Sequence, residues 1–374
     1  MDAGHAEVAR PTSSVRDTGL LREELGSWLV TVLPEGSDPV VDHVVLPSAN
    51  GMSSETILFD AMWTEGADRA SHQLVARVAP GATTMPVFPS YDLHSQYLIM
   101  RAVRGHVPVP PVLWSEQGSN ALGAPFFVME RVDGDVPPDV MPYNFGSWVT
   151  EATQAQRERM QVASVGVLAA LHAIPLDDFA FLGTASDAGA ALRAHIASQR
   201  TYYEWVVGDS PRSPLLDRCL DELEATVPTD ASPAVFCWGD ARIGNIMYRD
   251  FEPVAVLDWE MATIGPRELD IGWMIFLHRF FEDLTRMAGL PGLPDFLRRD
   301  DVATTYRDKS GHDPTNLNYF IFYAAVRHAI VMFRVQSRAI HFGQATAPAN
   351  PDDMILHHTT LAEMLDGTYW DRIA

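Results

Sequence analysis

The spacing of apolar residues divides the chain into a first part dominated by strands and a second part dominated by helices. In the first part, period-two alternation predicts five strands, and the helical period predicts two amphipathic helices. The strands are expected at residues 41–46, 55–63, 73–79, 112–114 and 125–132, and the helices at residues 20–32 and 91–103. Turn-forming residues separate the first three strands, which predicts an antiparallel meander.

From residue 154 onward the apolar period is that of a helix. Helices are expected at residues 154–174, 190–207, 214–226, 267–288, 295–309, 316–342 and 352–369. Two short apolar runs, at residues 235–238 and 254–257, interrupt this region and suggest buried strands. The pattern therefore predicts a chain that combines α and β structure, with the strands concentrated near the N-terminus.

Composition and charge exclude several classes of protein. The 374 residues suffice for two lobes with separate cores, and no apolar run reaches the roughly 18 residues of a membrane span. A formal net charge of −22 repels nucleic acid and anionic lipid, so neither is an expected partner. Residues 1–17 are polar, which predicts a mobile tail and no signal peptide. With two cysteines, the chain is expected to be cytoplasmic, and its oligomeric state is left open.

Each of the two short apolar runs ends in a carboxylate, Asp240 after one residue and Asp258 directly. Asn245 follows Asp240 by five residues. Side chains at strand ends point into clefts, where Mg²⁺ takes carboxylate and other oxygen ligands together with phosphate oxygens. Asp258 and Asn245 fit such a metal, and Asp240 fits a proton acceptor for a substrate hydroxyl. Each aspartate alone would equally be a turn residue.

The joint pattern of G-D-x-x-x-x-N, an apolar strand and D-W-E resembles the catalytic and metal-binding loops of the protein-kinase-like fold. In particular it resembles the aminoglycoside phosphotransferase family, whose usual motifs are H-G-D-x-x-x-x-N and a later L-D-W. Residues 266–272 add a segment similar to the family's G-x-P-x-x-D-L. The resemblance implies an α+β, two-lobe fold. A small antiparallel-sheet N-terminal lobe is expected at residues 18–133, and a larger, mainly helical C-terminal lobe at residues 134–374.

The same resemblance implies an enzyme that moves the γ-phosphate of ATP, with Mg²⁺, to a hydroxyl of a small molecule. Asp240 would be the catalytic residue that accepts the hydroxyl proton, and Asn245 and Asp258 would be the metal ligands. Arg242, inside the loop, would assist the transferring phosphate or brace the loop.

On the nucleotide side, the resemblance implies contacts from three segments. The loop between the first two strands, with Ser53, would cover the phosphates. Arg77 on the third strand would reach the α- and β-phosphates. The run F-F-V-M-E-R-V resembles the family's hinge strand, so Met129, Glu130 and Val132 would meet the adenine of bound ATP. The preference for ATP or GTP is left open.

Three positions depart from the family pattern. Trp238 stands where H-G-D has its histidine, which is usually a scaffold element. Arg77 replaces a lysine, and Gln96 stands where an acidic residue would pair with that basic residue. Because Gln96 can only hydrogen-bond, the pattern favours low or unusual activity. A nucleotide-binding pseudokinase without turnover is therefore an alternative to the enzyme.

The sequence leaves two kinds of acceptor open, a cationic one and an anionic one. The acidic chain and the family name favour an aminoglycoside, whereas the form G-D-x-R-x-G-N is shared with kinase-like domains that act on hydroxyacyl thioesters. One face of the helix expected at residues 316–342 carries Arg327, Arg334, Arg338 and His341. These side chains would either pair with carboxylates elsewhere or bind an anionic substrate group. We expect the carboxylate pairing, and an aminoglycoside-like acceptor.

Overall fold

The computed structural model describes residues 16–47, 54–80, 85–183, 188–208 and 211–373. The N-terminal lobe is built on one antiparallel sheet, of strand order β1-β2-β3-β5-β4. Its strands are β1 (Val40–Val45), β2 (Glu55–Glu65), β3 (Asp68–Val78), β4 (Val112–Glu116) and β5 (Phe126–Glu130). Two helices accompany the sheet, α1 (Thr18–Val32) and α2 (Leu93–Val103). The first three strands form the predicted meander.

The first helix begins where Asp17 caps it. The Asp17 side chain accepts a hydrogen bond from the Leu20 N–H at 2.9 Å, which satisfies one of the free donors of the first turn. One face of α1 is buried and packs toward β1, with Leu21, Leu25, Trp28 and Leu29. Just before the helix, Arg16 pairs with Glu55 at 2.6 Å. Residues 1–15 of the expected tail lie outside the described residues.

The C-terminal lobe is mainly helical. Its helices are α3 (Trp148–Glu151), α4 (Gln154–His172), α5 (Ala188–Val207), α6 (Pro214–Ala225), α7 (Glu268–Met287), α8 (Arg299–Ser310), α9 (Leu317–His341), α10 (His358–Asp366) and α11 (Thr368–Ile373). Two antiparallel strand pairs lie among them, β6 (Ala234–Cys237) with β9 (Thr263–Pro266), and β7 (Ile246–Arg249) with β8 (Glu252–Val256). Within the described ranges, no single helix has the length and apolarity of a membrane span; α4 and the 3-10 helix Leu176–Leu182 meet that criterion only jointly, across an 82° bend.

The structure differs from the sequence prediction in several helices and strands. The helix expected at residues 352–369 is interrupted, because Gly367 takes a left-handed φ of 86° and ends α10. The helix expected from residue 295 begins four residues later at Arg299, since Arg298 before it is extended. β7 and β9 were not predicted, because strands of four residues are too short to show a period.

The chain crosses between the lobes at a glycine. A Cβ at Gly134 would lie 2.8 Å from Val254 Cγ2 and 3.0 Å from the Tyr248 carbonyl oxygen, so a larger residue would push this segment off β7 and β8. Next to it, Asp135 and Tyr248 exchange two backbone hydrogen bonds of 2.8 Å. The crossing is thus fastened to the strand pair that follows the catalytic motif. The lobe boundary between residues 133 and 134, next to this segment, stays a prediction from the sequence.

Three histidines are enclosed in the core around α7, α9 and α10. The rings of His328 and His357 lie 5.1 Å apart, and the His357 Nε2–H donates to the Ala325 carbonyl at 3.0 Å. Burial lowers the pKa of His357 to about 4 and that of His278 to about 3. Burial also lowers the pKa of His328 well below its ordinary value. The folded chain therefore keeps these imidazoles neutral in mildly acidic solution.

Acidification is expected to destabilise the fold through these histidines. An unfolded histidine takes up a proton near pH 6.5, whereas His357 in the folded chain stays neutral down to about pH 4. Above pH 6.5 neither state is protonated, so the group contributes no pH dependence. Between the two pKa values, each such histidine lowers the free energy of unfolding by roughly 1.4 kcal/mol for every unit by which the pH falls.

The variant His357→Gln, which keeps a donor for the Ala325 carbonyl, should remove one of these contributions. Urea unfolding at about pH 7 and about pH 5 should then show a smaller loss of stability than in the wild type. The exposed His106 provides the matched control, and His106→Gln should retain the wild-type loss. Equal losses in His357→Gln and the wild type would contradict the buried-histidine explanation.

Candidate active site

The turn that carries Asp240 requires a glycine at position 239. Gly239 has a φ of 90°, and a Cβ there would lie 1.9 Å from the Met261 carbonyl oxygen. The loop after β6 can therefore approach the segment after Asp258 only because this residue lacks a side chain. This close approach brings the ends of the two apolar runs together, as the sequence predicted.

Asp240 is held by donors on three sides. Its Oδ1 accepts a hydrogen bond from Trp273 Nε1 at 2.6 Å, and its Oδ2 accepts one from Asn245 Nδ2 at 2.7 Å. The Nε of Arg242 lies 3.2 Å from both oxygens. The side chain is still 13% exposed. Asp240 is thus a fixed carboxylate that remains open to a small molecule.

Arg242 braces the loop. Its guanidinium joins Asp240 to Asp139, whose Oδ2 lies 2.5 Å from Nη1. Burial alone lowers the pKa of Arg242, but the Asp240 and Asp139 carboxylates outweigh it and raise the pKa above its ordinary range. Of the two roles that the sequence left open, the geometry of these contacts favours bracing.

Asp258 is the second carboxylate of the site, and it has a left-handed φ of 60°. Desolvation raises the pKa of Asp258, the charge of Arg77 lowers it, and the neighbouring Asp240 raises it again, for a net increase. The Oδ1 atom of Asp258 is buried and has no hydrogen-bond partner among the described residues. A buried carboxylate oxygen in this position is stabilised by a cation.

The residues present fit a magnesium ion. The Nδ2 of Asn245 is committed to Asp240, through the side chain and through the backbone carbonyl at 3.1 Å. The Asn245 Oδ1 is therefore its remaining ligand atom, beside the unpartnered Asp258 Oδ1. Both are hard oxygen donors of the kind that Mg²⁺ takes. A backbone hydrogen bond of 2.9 Å from the Leu257 N–H to the Asn245 carbonyl fastens the two segments together.

A buried carboxylate supports the catalytic loop from behind. Asp270, on α7, accepts backbone hydrogen bonds of 2.7 Å from Trp238 and Gly239. Its Oδ2 also lies 3.0 Å from His172 Nε2. With Cys237, His172 and Asp270 form the buried group of described residues whose spacing would suit a metal. Because Asp270 already receives these hydrogen bonds, we interpret the group as scaffold, and His172 belongs to it.

Trp238 is fully buried and connects the two loops. Its indole Nε1–H lies 2.9 Å from the Leu257 carbonyl oxygen and 3.2 Å from the Asp258 carbonyl oxygen. The tryptophan that replaces the family's histidine thus donates directly to the backbone that carries Asp258. It takes a scaffold role with a larger side chain.

The predicted nucleotide contacts fall partly within the described residues. Ser53 lies outside them. Arg77 donates from Nη1 to the Thr56 hydroxyl at 2.9 Å and acts electrostatically on Asp258 across the cleft. No carboxylate lies within 4.0 Å of the Arg77 guanidinium in the described part of the chain, and Gln96 is buried on α2. Arg77 therefore faces the predicted metal site without an acidic partner.

The predicted hinge residues lie along and just after β5. Met129 is buried in the sheet and Glu130 is exposed at its end. The Glu130 N–H donates to the Pro111 carbonyl at 2.9 Å, so it is occupied by the protein itself. Val132 follows the strand end, which leaves its backbone outside the sheet ladder.

A cavity of about 260 Å³ adjoins the catalytic loop. Arg327 on α9 lines it, donates to the Gly239 carbonyl at 3.1 Å and lies 5.1 Å over the Trp273 ring. Aromatic and polar side chains from other elements complete the wall, among them Phe88, Tyr91, Asp92, Gln96, Tyr202 and Glu260. The cavity could therefore hold a small molecule near the loop that carries Asp240.

The family model described as the phosphotransferase enzyme family matches residues 57–299. The chain belongs to this family. The recognition drawn from G-D-x-x-x-x-N and D-W-E is thereby confirmed, and so is the prediction of a phosphotransferase enzyme.

The curated relatives that this phosphotransferase matches are named as acyl-CoA dehydrogenase family members. Acyl-CoA dehydrogenase family member 10 of Mus musculus is 25% identical over 295 residues, which are 74% of this chain and 25% of that protein. Acyl-CoA dehydrogenase family member 11 of Homo sapiens is 26% identical over 195 residues, or 51% of this chain and 23% of that protein. The chain thus spans about a quarter of the length of these relatives.

Solved structures share the fold. A structure from Ralstonia eutropha JMP134, named after the aminoglycoside phosphotransferases, has a TM-score of 0.64 and is 22% identical. The match covers 91% of this chain and 96% of that chain. Aminoglycoside phosphotransferase APH(4)-Ia, in a ternary complex with AMP-PNP and hygromycin B, has a TM-score of 0.55 and is 15% identical. The match covers 92% of this chain and 99% of that chain. The two-lobe kinase-like fold predicted from the sequence is confirmed.

Sequence reasoning missed three residues of this site. Trp273 follows Asp270 by three positions on α7, so the helical period could have placed the two on one face. The motif around Asp270 was recognised, but its hydrogen bonds to the catalytic loop were not foreseen. Asp139 carries no motif, and it meets Arg242 across 103 positions of sequence, so no local signal marks it.

The role of Trp238 can be tested by a substitution that removes the indole N–H together with part of the ring. Trp238→Phe should lower the free energy of unfolding by roughly 1–3 kcal/mol, because two buried carbonyl groups lose their donor. Trp370→Phe, at a half-buried position on α11, serves as the control for the change of ring size. Chemical denaturation of both variants would measure the difference, and equal small losses would show that the indole N–H contributes nothing.

Proposed function

We propose that this phosphotransferase transfers the γ-phosphoryl group of ATP, in the presence of Mg²⁺, to a hydroxyl of a small molecule. The observation that carries the proposal is the Asp240 carboxylate, held by Trp273 and Asn245 beside Asp258. Phosphoryl transfer depends mainly on positioning and on charge stabilisation, and this cluster provides both. The solved structures of the same fold with AMP-PNP and with GDP support a nucleotide in the cleft.

In the proposed reaction, the acceptor hydroxyl binds to Asp240. As the hydroxyl oxygen bonds to the γ-phosphorus, the bond from that phosphorus to the bridging oxygen breaks, and ADP leaves with the electron pair. The hydroxyl proton passes to Asp240. Asn245 and Asp258 would hold Mg²⁺, which when bound neutralises charge on the phosphates. Arg77 would contact the phosphates, and Arg242, which joins Asp240 to Asp139, holds Asp240 in position.

For the acceptor we favour a hydroxyacyl compound with an anionic group. The curated relatives named after acyl-CoA dehydrogenases support this choice, as does the position of Arg327 on the cavity wall beside the catalytic loop. An aminoglycoside is the second candidate, supported by the hygromycin B complex of APH(4)-Ia and by Asp92 and Glu260 on the same wall. We place it second because a polycation next to Arg327 meets a like charge.

The proposed metal site predicts a specific loss in Asp258→Asn, a change that the left-handed φ of 60° tolerates. Affinity for ATP with Mg²⁺ should fall by roughly tenfold or more, because the ion loses a carboxylate ligand. Affinity for ATP without metal should change little. Calorimetric titration would measure both, with Asp308→Asn on the exposed face of α8 as the control. Unchanged affinity with Mg²⁺ would remove Asp258 from the metal site.

The proposed proton acceptor predicts the opposite pattern in Asp240→Asn. ATP affinity should stay near the wild-type value, while kcat falls by roughly a hundredfold or more. Trp273→Phe removes the hydrogen bond to Oδ1 but leaves the Asp240 carboxylate in place, so it should lower kcat less. ATP-consumption assays over a panel of hydroxyacyl thioesters and aminoglycosides would measure turnover. Comparable kcat in Asp240→Asn and the wild type would favour a nucleotide-binding pseudokinase.

A further inference from the structure

The C-terminal half of α9 carries two buried arginines without a counter-charge. Arg334 and Arg338 are each 7% exposed. The Arg334 guanidinium lies 4.3 Å over the Trp205 ring, and its Nε donates to the Pro86 carbonyl at 2.8 Å. The Arg338 Nε is buried without a hydrogen-bond partner among the described residues. Neither guanidinium has a carboxylate within 4.0 Å in that part of the chain, so the expected pairing with carboxylates is not found.

Two buried cations close together are unstable unless an anion joins them. Burial lowers the pKa of Arg334, the ring of Tyr202 raises it, and the charge of Arg338 lowers it further, for a net decrease. The chain has 49 acidic residues against 27 basic ones, yet residues 314–351 contain no acidic residue. An excess of carboxylates is thus present in the protein, but none is placed at this pair.

The arginine pair lies beside the cavity described above. Tyr202, which lines the cavity, stacks on the Trp205 ring that lies under the Arg334 guanidinium, and Val331, three residues before Arg334 on α9, lines the cavity as well. At the other end, Arg327 on the same helix contacts the catalytic loop. Seven residues of helix separate Arg327 from Arg334, a rise of about 10 Å. The cavity therefore spans from the loop of Asp240 toward the arginine pair.

The wall between the two ends is aromatic. The rings of Phe88 and Tyr202 stack at 5.8 Å, and those of Tyr202 and Trp205 at 5.9 Å. Such a wall suits an apolar chain that joins a hydroxyl at one end to an anionic group at the other.

We propose that Arg334 and Arg338 bind a phosphate or carboxylate group of the acceptor, at the end of the cavity away from the hydroxyl that is phosphorylated. The proposal rests on the function proposed above, and it assigns the acceptor class: a molecule with an apolar segment, a hydroxyl at one end and an anion at the other. The anion is either the phosphate of a thioester carrier or the carboxylate of a free acid.

Equilibrium binding tests the subsite without any phosphoryl transfer. Calorimetry would use coenzyme A as the phosphate probe and a medium-chain ω-hydroxy acid as the carboxylate probe. Affinity for one of them should fall roughly tenfold or more in Arg334→Gln and in Arg338→Gln. Arg338→Lys, which keeps the charge, should recover part of it. The exposed Arg218 on α6 supplies the control, and Arg218→Gln should bind like the wild type.

The probe that loses affinity identifies the source of the anion. Thermal unfolding of every variant checks the fold, and Arg334→Lys, which keeps the charge, repeats the test if Arg334→Gln unfolds. With a turnover substrate, the acceptor KM should rise in the glutamine variants while kcat and the KM for ATP stay near wild type. Binding of neither probe by the wild type, or equal binding by all variants, would overturn the subsite. Binding of a probe, together with no ATP turnover on any of the hydroxyacyl thioesters or aminoglycosides, would instead overturn the proposed function alone.

Discussion

The Asp270 carboxylate is the contact on which the active site depends. It accepts the N–H groups of Trp238 and Gly239, the two residues before Asp240, and lies against His172 in a fully buried position. Backbone N–H groups at a tight turn have no strand partner, so without this acceptor they would be buried and unsatisfied. The catalytic loop is therefore fixed from the helical core behind it, and Asp240 needs no movement of its own backbone to meet a substrate.

The same site carries more negative than positive charge, and a bound cation would neutralise the excess. Asp139, Asp240 and Asp258 lie close enough to act on one another, and Arg242 neutralises only part of their charge. The pKa of Asp258 is raised mainly because its carboxyl group is desolvated, and the charges of Asp240 and Asp139 raise this pKa further. A cation at this place removes the cost, which is why nucleotide and metal are expected to bind together rather than independently.

Much of the fold and the first residues of the site could be predicted from the sequence, because both rest on local patterns. The strands show period two, and Asp240, Asn245 and Asp258 sit at fixed spacings after apolar runs. What could not be predicted depends on distant segments. The contact of Asp139 with Arg242 joins the lobe crossing to the catalytic loop, and the helix break at Gly367 is decided by one left-handed residue within an otherwise helical pattern.

The departures from the family pattern are consistent with one another once the side chains are placed. Arg77 is held by the Thr56 hydroxyl, so it does not need a carboxylate from α2 to face the cleft. Position 96 is thereby free to line the cavity, where Gln96 is buried on the same wall as Asp92 and Glu260. A third carboxylate there would be desolvated among like charges and would oppose an anionic acceptor. The neutral glutamine thus fits the acceptor cavity proposed above, and a loss of catalysis is not required to account for it.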